Sequence, residues 1–222
     1  MSHFCVLVLS PNKVDLRLAE TFIKTQLAPY DENIKVPEYD RKCSCSEYRV
    51  RKEATDYANS KIDINTLRVE FEQKVKQLGV GELLWSEFTS EWFNIRENFE
   101  KQHPLYGKSN PECVECKGTG IYKSTYNPNS KWDWYQIGGR YTGLISNRKA
   151  VNSDIVSLSS IKKFGDDKIP YALVTPDKAW HQKGTMGWWG ISTNEDKNWK
   201  EVARTLLEKY KDCYAIVVDC HI

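Results

Sequence analysis

Apolar residues form two short continuous runs, at positions 4–9 and 214–218, and the longer segments between them follow a helical spacing. Runs of this length bounded by turn residues are typical of buried strands. The first run ends at Ser10-Pro11-Asn12, which is a turn sequence. The pattern therefore predicts one strand over residues 3–9 and another over residues 213–220.

Helical periodicity is clearest in the middle of the chain. Apolar residues recur three or four positions apart, which predicts amphipathic helices over 63–78 and 82–101 that pair through the short link Gly79-Val80-Gly81. A short helix is predicted over 15–26, and the strongly charged stretch 41–61 indicates a solvated helix. Asn194, followed by two acidic residues, is predicted to cap a final helix.

Shorter segments with strand character occupy the region after residue 120. The predicted strands are 121–126, 132–137, 140–145, 171–175, 179–183 and 186–191, with Gly138-Gly139 as a hairpin turn. Together these elements predict an α+β fold, a mostly antiparallel sheet with helices packed on one face. We expect a single domain, 1–222, with 40–116 as a helical insertion.

Length and charge narrow the function classes. The chain has 222 residues and a net charge of +2, so it lacks the basic excess that dominates extended nucleic-acid binding. Its apolar runs are much shorter than the roughly 20 residues of a membrane-spanning helix, and no basic segment precedes them. We therefore expect a soluble, intracellular protein that does not associate with membranes.

Four of the seven cysteines form two tight pairs, Cys43-Ser44-Cys45 and Cys113-Val114-Glu115-Cys116. Without a secretory signal, thiolate pairs at this spacing favour a tetrahedral Cys₄ zinc site over disulfides. Such a Zn²⁺ would be structural and would fasten both ends of the helical insertion. Unmetallated thiols are the alternative. The other three cysteines lie in or beside apolar runs, as buried strand cysteines do: Cys5, Cys213 and Cys220.

Residues 126–140 combine aromatic rings, a glycine pair and an arginine. Rings stack on planar groups, glycine amides approach a ligand closely, and a guanidinium matches phosphate or carboxylate. The alternative is a strand whose alternate residues enter the core, with Arg140 in a structural role. The ligand-binding candidates are Trp132, Trp134, Tyr135, Gly138, Gly139 and Arg140, with His181, Trp188 and Trp189 as a second wall.

The four histidines allow a survey of acid–base chemistry. His3 and His221 fall on the two terminal strands, and Asp219 shares a strand face with His221 at a spacing of two. If those strands are neighbours, the three side chains converge as an acid–base group. Ordinary hydrogen bonding of strand histidines is the alternative. The chain has no P-loop, no G-x-S-x-G elbow, no H-E-x-x-H helix and no Rossmann fingerprint.

Several segments together resemble a family of small proteins of tailed phages and prophages. The resemblance is carried by residues 1–4, 26–33, the two cysteine pairs, 125–140, 186–190 and 218–221. It implies expression in the cytoplasm of an infected bacterium and carries over no catalytic residue. Accessory phage proteins of this kind modify host metabolism, handle nucleic acid or counteract host defence.

Three functions follow as hypotheses. The first is a non-enzymatic protein that binds a nucleotide-like small molecule, for instance to sequester a host defence signal. The second is a phosphodiester hydrolase that uses His3, His221 and Asp219 and clamps phosphate with Arg140. The third is an inhibitor of a host protein, anchored by exposed tryptophans.

Overall fold

The computed structural model describes residues 2–78, 85–148, 150, 153–162, 164–187 and 192–222. The chain divides into two compact units. Unit 1 comprises Met1–Pro37 and Thr125–Ile222, and unit 2 comprises Glu38–Ser124. Unit 2 contains the residues of the predicted helical insertion, 40–116, together with a short segment on each side of them.

Strands and helices alternate irregularly along the chain. The strands are β1 (His3–Ser10), β2 (Tyr39–Lys42), β3 (Ile121–Ser124), β4 (Trp134–Ile137), β5 (Ile155–Ser157), β6 (Ala172–Val174), β7 (Trp180–Gln182), β8 (Thr185–Met186), β9 (Ser192–Thr193) and β10 (Tyr214–His221). The helices are α1 (Leu16–Leu27), α2 (Cys45–Tyr48), α3 (Arg51–Lys61), α4 (Ile64–Leu78), α5 (Trp85–Phe88), α6 (Ser90–Gln102) and α7 (Trp199–Lys209).

Unit 1 is built on a six-stranded sheet with the order β4-β10-β1-β6-β7, and β5 also pairs with β10. The two terminal strands, β1 and β10, are antiparallel neighbours along their whole length. The β1–β6 pair is parallel, while the pairs made by β10 with β4 and β5 and by β6 with β7 are antiparallel. The predicted α+β class with a mostly antiparallel sheet is confirmed.

Helices cover both faces of this sheet, which corrects the expected single covered face. On one face, Ala19, Ile23 and Leu27 of α1 pack on strand residues such as Val6 and Val218. On the other face, α7 packs on the alternate strand residues through Trp199, Ala203 and Leu207. The reason lies in β1 and β10, whose inner residues are apolar at successive positions and therefore need cover on both sides.

Two local predictions for unit 1 are wrong. Residues 140–145 were expected to form a strand, but a 3₁₀ turn, Gly139–Tyr141, and further turns occupy them. Asn194 does not cap the last helix, because α7 begins at Trp199 after Asn198. Asn194 has a positive φ of 53°, whereas a helix N-cap normally has extended backbone. The predicted strand 186–191 is described only up to residue 187, with β8 ending at Met186.

Unit 2 consists of the β2–β3 ladder and α2–α6. The predicted helix 82–101 is described from residue 85 as two helices, α5 and α6, which are separated at Thr89. Helix α6 packs mainly on α3, where the rings of Tyr57 and Phe99 stack with centroids 4.7 Å apart. Trp92 Nε1 also donates a hydrogen bond to Asn59 Oδ1 at 2.9 Å. The predicted turn at Gly79-Val80-Gly81 lies outside the described residues.

Candidate functional site

The register of the central strands brings the two terminal-strand histidines together. His3 of β1 lies directly opposite His221 of β10, and Asp219 lies opposite Cys5. Because side chains alternate along a strand, His3, His221 and Asp219 share one face of the sheet, the face that α7 covers farther along. Trp134 of β4 pairs with His221 on the other side of β10 and joins the same face.

His3 is held by a buried carboxylate. Its Nδ1 lies 2.9 Å from Oδ1 of Asp219, whose exposed fraction is 2%. The second oxygen, Oδ2, accepts a hydrogen bond from the backbone N–H of Arg140 at 3.0 Å. A carboxylate only accepts hydrogen bonds, so Nδ1 is the donor and Nε2 of a neutral His3 carries the lone pair. His3 is thereby oriented as a proton acceptor through Nε2.

His221 makes a parallel arrangement with a second carboxylate. Its Nδ1 lies 2.6 Å from Oδ1 of Asp133, and its Nε2 is buried without a hydrogen-bond partner among the described residues. The rings of His3 and His221 meet edge to face with centroids 5.0 Å apart. The site therefore contains two adjacent imidazoles, each anchored through Nδ1 to its own carboxylate.

A glycine turn closes over this group. Strands β4 and β5 pair with successive parts of β10. In the gap between these two parts, Gly138 N donates a hydrogen bond to Val217 O at 2.8 Å. Gly138 and Gly139 have φ values of 70° and 53°, which side chains rarely adopt. The turn after β4 directs the N–H of Arg140 at Asp219, while the Arg140 side chain is exposed. The glycine pair thus shapes the site through the backbone and does not form the predicted hairpin.

Replacing Gly139 with Ala is expected to destabilise unit 1 by about 1–3 kcal/mol, because the new Cβ combines a strained φ with a steric clash. That Cβ would lie 2.6 Å from both Cβ and Oδ2 of Asp219. Gly107→Ala is the matched control, because Gly107 has a φ of 70° but nothing within 4 Å of its Cβ position. Urea unfolding measures both variants. Equal losses for the two would show that Asp219 does not restrict this turn.

The aromatic run separates into three environments. Trp132 is 6% exposed, packs in the core beneath α1 and donates a hydrogen bond from Nε1 to Leu27 O at 3.1 Å. Tyr135 contacts Trp132 on that same side of the sheet, with ring centroids 5.1 Å apart. Trp134 points to the opposite side, is 49% exposed and lies edge-on to His3 at 6.2 Å. Trp132 is therefore a core residue, and of the three rings only Trp134 borders the histidine pair.

We expect Trp132→Ala to cost about 3–5 kcal/mol of unfolding free energy, because it removes a buried aromatic side chain and leaves the Leu27 carbonyl unpaired. Trp134→Ala, at a half-exposed position on the same strand segment, is expected to change stability by less than about 1 kcal/mol. Denaturant unfolding of the two variants tests this contrast. Comparable losses would contradict the assignment of Trp132 to the core.

The remaining members of the predicted ligand site are not brought to the histidine pair. His181 lies on β7, the edge strand opposite to β4, and pairs with Leu173 at the level of Leu7. Three strands therefore separate it from Trp134. Trp188 and Trp189 lie outside the described residues.

Two contributors to the site were missed in the sequence. Asp133 lies between two tryptophans, with no spacing that relates it to His221. Tyr141 donates a hydrogen bond from its hydroxyl to the backbone oxygen of His3 at 3.2 Å. Burial, with contributions from Cys5 and Asp219, raises the pKa of Tyr141, so its hydroxyl stays protonated as a donor. Only the long-range pairing of β4 with β10 reveals either residue.

Unit 2 holds the second candidate site, the four-cysteine cluster. The Sγ atoms of Cys43, Cys45, Cys113 and Cys116 all lie within 4.8 Å of one another. Cys43 Sγ is 3.6 Å from Cys113 Sγ, and Cys45 Sγ is 3.5 Å from Cys116 Sγ. A disulfide would require about 2.05 Å, whereas four thiolates around one ion at about 2.3 Å are about 3.8 Å apart. The thiols are free, and their geometry is compatible with a metal site.

The β2–β3 ladder positions the cluster. Lys42 pairs with Ile121, and Cys43 N donates to Gly120 O at 2.8 Å, which joins the strand before the first pair to the loop after the second. Gly118 has a φ of 83° and passes close to Pro111, so the second loop turns sharply around Cys116. Each cysteine pair is thus held by a short-range turn, and the ladder brings the two pairs together.

Proton sharing within the cluster favours one thiolate. Burial opposes ionisation of Cys116, but hydrogen bonds from the Gly120 backbone and neighbouring thiols lower its pKa to about 7. Cys43 shows the opposite shift: a hydrogen bond from the Cys45 backbone lowers its pKa, but burial and neighbouring thiols outweigh it and raise the pKa to about 12. A cation at the centre would stabilise the thiolate form of all four ligands.

Comparison with protein-family models, curated proteins and solved structures found no match. The described residues include no helix of the length and apolar character needed to cross a membrane. The fold and the two clusters define an α+β protein with a candidate histidine–carboxylate site and a separate four-cysteine site.

Proposed function

We propose that the histidine pair is an acid–base centre and that the protein hydrolyses a phosphodiester. The observation that carries this proposal is the pair of imidazoles with centroids 5.0 Å apart, each anchored through Nδ1 to a carboxylate. Two histidines so close together can act on one reacting group, one taking a proton and the other supplying one, once a local opening exposes the buried Nε2 of His221. Asp219 and Asp133 act as positioning residues for His3 and His221.

The proposed reaction is a hydrolysis in which each transferred proton has a donor and an acceptor. One imidazole takes a proton from the attacking water as its oxygen bonds to phosphorus. The phosphorus–oxygen bond to the leaving group then breaks, and the other histidine, in its imidazolium form, gives its proton to that oxygen. The guanidinium of Arg140 is exposed and makes no ion pair with the described residues, so it would be free to neutralise the phosphate charge.

A cysteine nucleophile at this site is disfavoured. Cys5 lies beside Asp219 but is only 5% exposed, and burial, followed by the charges of Asp219 and Asp154, raises its pKa far above the ordinary value. The thiolate is the reactive form of cysteine, so Cys5 stays inert at neutral pH. Water is therefore the attacking group that suits this arrangement best.

A second function, binding without turnover, rests on a different observation. Trp134 offers a 49% exposed ring next to His3, and the Arg140 side chain is exposed nearby in sequence. A nucleotide-like ligand could stack on that ring and place its phosphate on the guanidinium. The phage resemblance would place such a protein in the cytoplasm of an infected bacterium, where nucleotide signals of host defence have this chemistry. An exposed tryptophan would equally suit a host protein as the partner.

A panel of phosphodiesters separates these functions. The purified protein is incubated with bis(p-nitrophenyl) phosphate and with cyclic mono- and dinucleotides, and products are identified by mass spectrometry. Turnover that is lost in His3→Gln and retained in His103→Gln, a histidine of unit 2, supports the hydrolase. Saturable binding without product, lost in Trp134→Ala, supports the binding function instead. If the protein neither hydrolyses nor binds any compound of the panel, both functions are rejected.

We also propose that the cysteine cluster holds Zn²⁺ in a structural role. Four thiolate ligands fill a tetrahedral shell and leave no open position for a substrate, as in structural zinc sites. Native mass spectrometry is expected to show one zinc ion per chain. A chain that carries no metal after purification without chelators would contradict this role.

A further inference from the structure

A polar cavity of about 620 Å³ lies in unit 2 among α2, α3, α6 and the loop after α6. Its lining is formed mainly by charged and aromatic side chains, among them Arg51, Phe93, Arg96, Glu100 and Tyr106. The cavity uses none of the four cysteines and none of the residues of the histidine pair. It is therefore distinct from both sites described above.

Three buried polar atoms in this cavity lack hydrogen-bond partners. Glu100 is 7% exposed, and its Oε1 lies 3.6 Å from Arg51 Nε and 3.7 Å from Arg96 Nε. These distances exceed those of normal hydrogen bonds. All three atoms are buried, with no hydrogen-bond partner in the described part of the chain. Leaving buried donors and an acceptor unpaired is unfavourable, so their convergence in one cavity points to a bound group that satisfies them.

Both arginines are held in place by aromatic rings. The guanidinium carbon of Arg51 lies 4.3 Å from the centroid of the Tyr48 ring, and that of Arg96 lies 5.0 Å from the Phe93 ring. Arg96 also lies 5.3 Å from the Trp92 ring. A stacked guanidinium loses less side-chain freedom when it binds an anion, because its plane is already fixed.

The charge balance at the cavity favours an anion. Arg51 and Arg96 share the single carboxylate of Glu100, which leaves one positive charge uncompensated. Among the other charged lining residues, Glu97 is paired with Lys101 at 3.0 Å, and Lys42 and Glu47 carry opposite charges. Paired guanidiniums are the groups that proteins use most often for planar recognition of phosphate or carboxylate.

We propose that this cavity binds a small organic oxyanion that also carries a hydroxyl group. The oxyanion would accept hydrogen bonds from Arg51 and Arg96. Because the two Nε atoms and Glu100 Oε1 are closed off from solvent and face one another, the ligand would enter between the guanidiniums and the carboxylate and move them apart. The hydroxyl group would donate to Glu100 Oε1, the unpaired acceptor between them. Phe93 and Tyr106 supply aromatic walls for the carbon skeleton, and the volume suits a ligand of about the size of a sugar phosphate.

Isothermal titration calorimetry with glycerol 3-phosphate, malate and inorganic phosphate tests the proposal on the full chain. We expect saturable binding of glycerol 3-phosphate or malate, tighter than that of inorganic phosphate, which lacks the carbon-bound hydroxyl group. The comparison of the first two probes decides between phosphate and carboxylate as the oxyanion. No saturable binding by any of the three up to about 10 mM would overturn the proposal.

Variants separate binding from a purely structural role of the three charges. Arg96→Gln is expected to weaken binding about tenfold or more, and Arg96→Lys to give a smaller loss, since lysine keeps the charge but lacks the fork. Lys52→Gln is the matched control, because Lys52 is exposed and pairs with Asp56 outside the cavity. Binding that is equal in Arg96→Gln and Lys52→Gln would contradict the site.

A fourth variant tests the site even if loss of an arginine weakens the fold. Glu100→Gln removes the negative charge but keeps the shape, so binding of inorganic phosphate is expected to increase severalfold while circular dichroism verifies folding. A structural ion-pair cluster without a ligand predicts no such increase. Unchanged or weaker phosphate binding in a folded Glu100→Gln protein would count against the proposal.

Discussion

Removal of metal from the four-cysteine cluster is expected to unfold Glu38–Ser124 while the sheet of unit 1 stays folded. Unit 2 has little apolar core of its own: among its described residues, the buried apolar side chains other than cysteine are Val50, Ala54, Ala58 and Trp92. A small core of this kind needs a further cross-link. A structural zinc ion supplies about 10–16 kcal/mol of apparent binding free energy at neutral pH, which the fold would lose on chelation.

Hydrogen exchange with mass spectrometry measures this effect segment by segment. After chelation, peptides from α3 and α6 are expected to exchange rapidly, while peptides from β1 and β10 remain protected. Cys113→Ser should reproduce the effect without a chelator because it removes one ligand. Cys213→Ser is the matched control, since Cys213 is a buried cysteine of unit 1 outside the cluster. Full protection of α3 and α6 in metal-free protein would contradict a structural role for the ion.

The terminal strands and the amphipathic helices were predictable because each carries its own signal. β1 and β10 are almost wholly apolar, and α1 and α7 have apolar residues along one side. The cysteine cluster was also predictable, because two closely spaced cysteine pairs are typical of ligands that converge on one metal ion. That the helices cover both faces of the sheet follows from the same apolar strands, since a run without alternation requires burial on both sides.

The turn after β4 could not be predicted, because distant carboxylates determine it. Residues 140–145 have strand-like composition, yet Asp219 accepts from Arg140 N and Asp154 accepts from Gly143 N at 2.7 Å. These long-range hydrogen bonds override local strand propensity. The same applies to α7, where Trp199 Nε1 donates to Pro170 O at 2.8 Å and places the first helical residue in the core.

Sequence periodicity placed His221 and Asp219 on one face of a strand but did not determine which strand lies beside it. The antiparallel pairing of β1 with β10 sets His3 opposite His221, and this register depends on the whole length of both strands. Asp133 joins the group only because β4 pairs with β10. The sequence therefore predicted His3, Asp219 and His221 as candidates but not Asp133, and the geometry of the site depends on the pairing of distant strands.

Replacing His3 or His221 with Gln is expected to lower phosphodiester turnover by about 10²–10⁴-fold, the usual contribution of a positioned acid or base. Glutamine keeps a polar side chain at each position, so the fold should be retained. The double variant is expected to lose little more than either single variant, because the two groups act in one step. His103→Gln should retain full turnover. If the single variants kept full activity as well, the histidine pair would not be the catalytic group.

Asp219→Asn provides the sharper test, because it changes which ring nitrogen of His3 carries the proton and leaves the histidine itself in place. Asp219 accepts from both His3 Nδ1 and Arg140 N, whereas an amide has one acceptor oxygen and one donor NH₂. The backbone N–H cannot change, so the amide oxygen must face Arg140 and the NH₂ must face His3. Nδ1 then becomes the acceptor, and Nε2 of neutral His3 carries the proton and can no longer take one.

Turnover of the Asp219→Asn protein is therefore expected to fall as far as in His3→Gln, while binding of the same phosphodiester, measured by calorimetry, changes less than tenfold. Nitrogen-15 NMR of the imidazoles reports the tautomer directly and should show it reversed at His3. Full turnover together with a reversed tautomer would exclude His3 as the base. If the native protein bound the phosphodiester without turning it over, and this binding were lost in Trp134→Ala, the second function would be favoured.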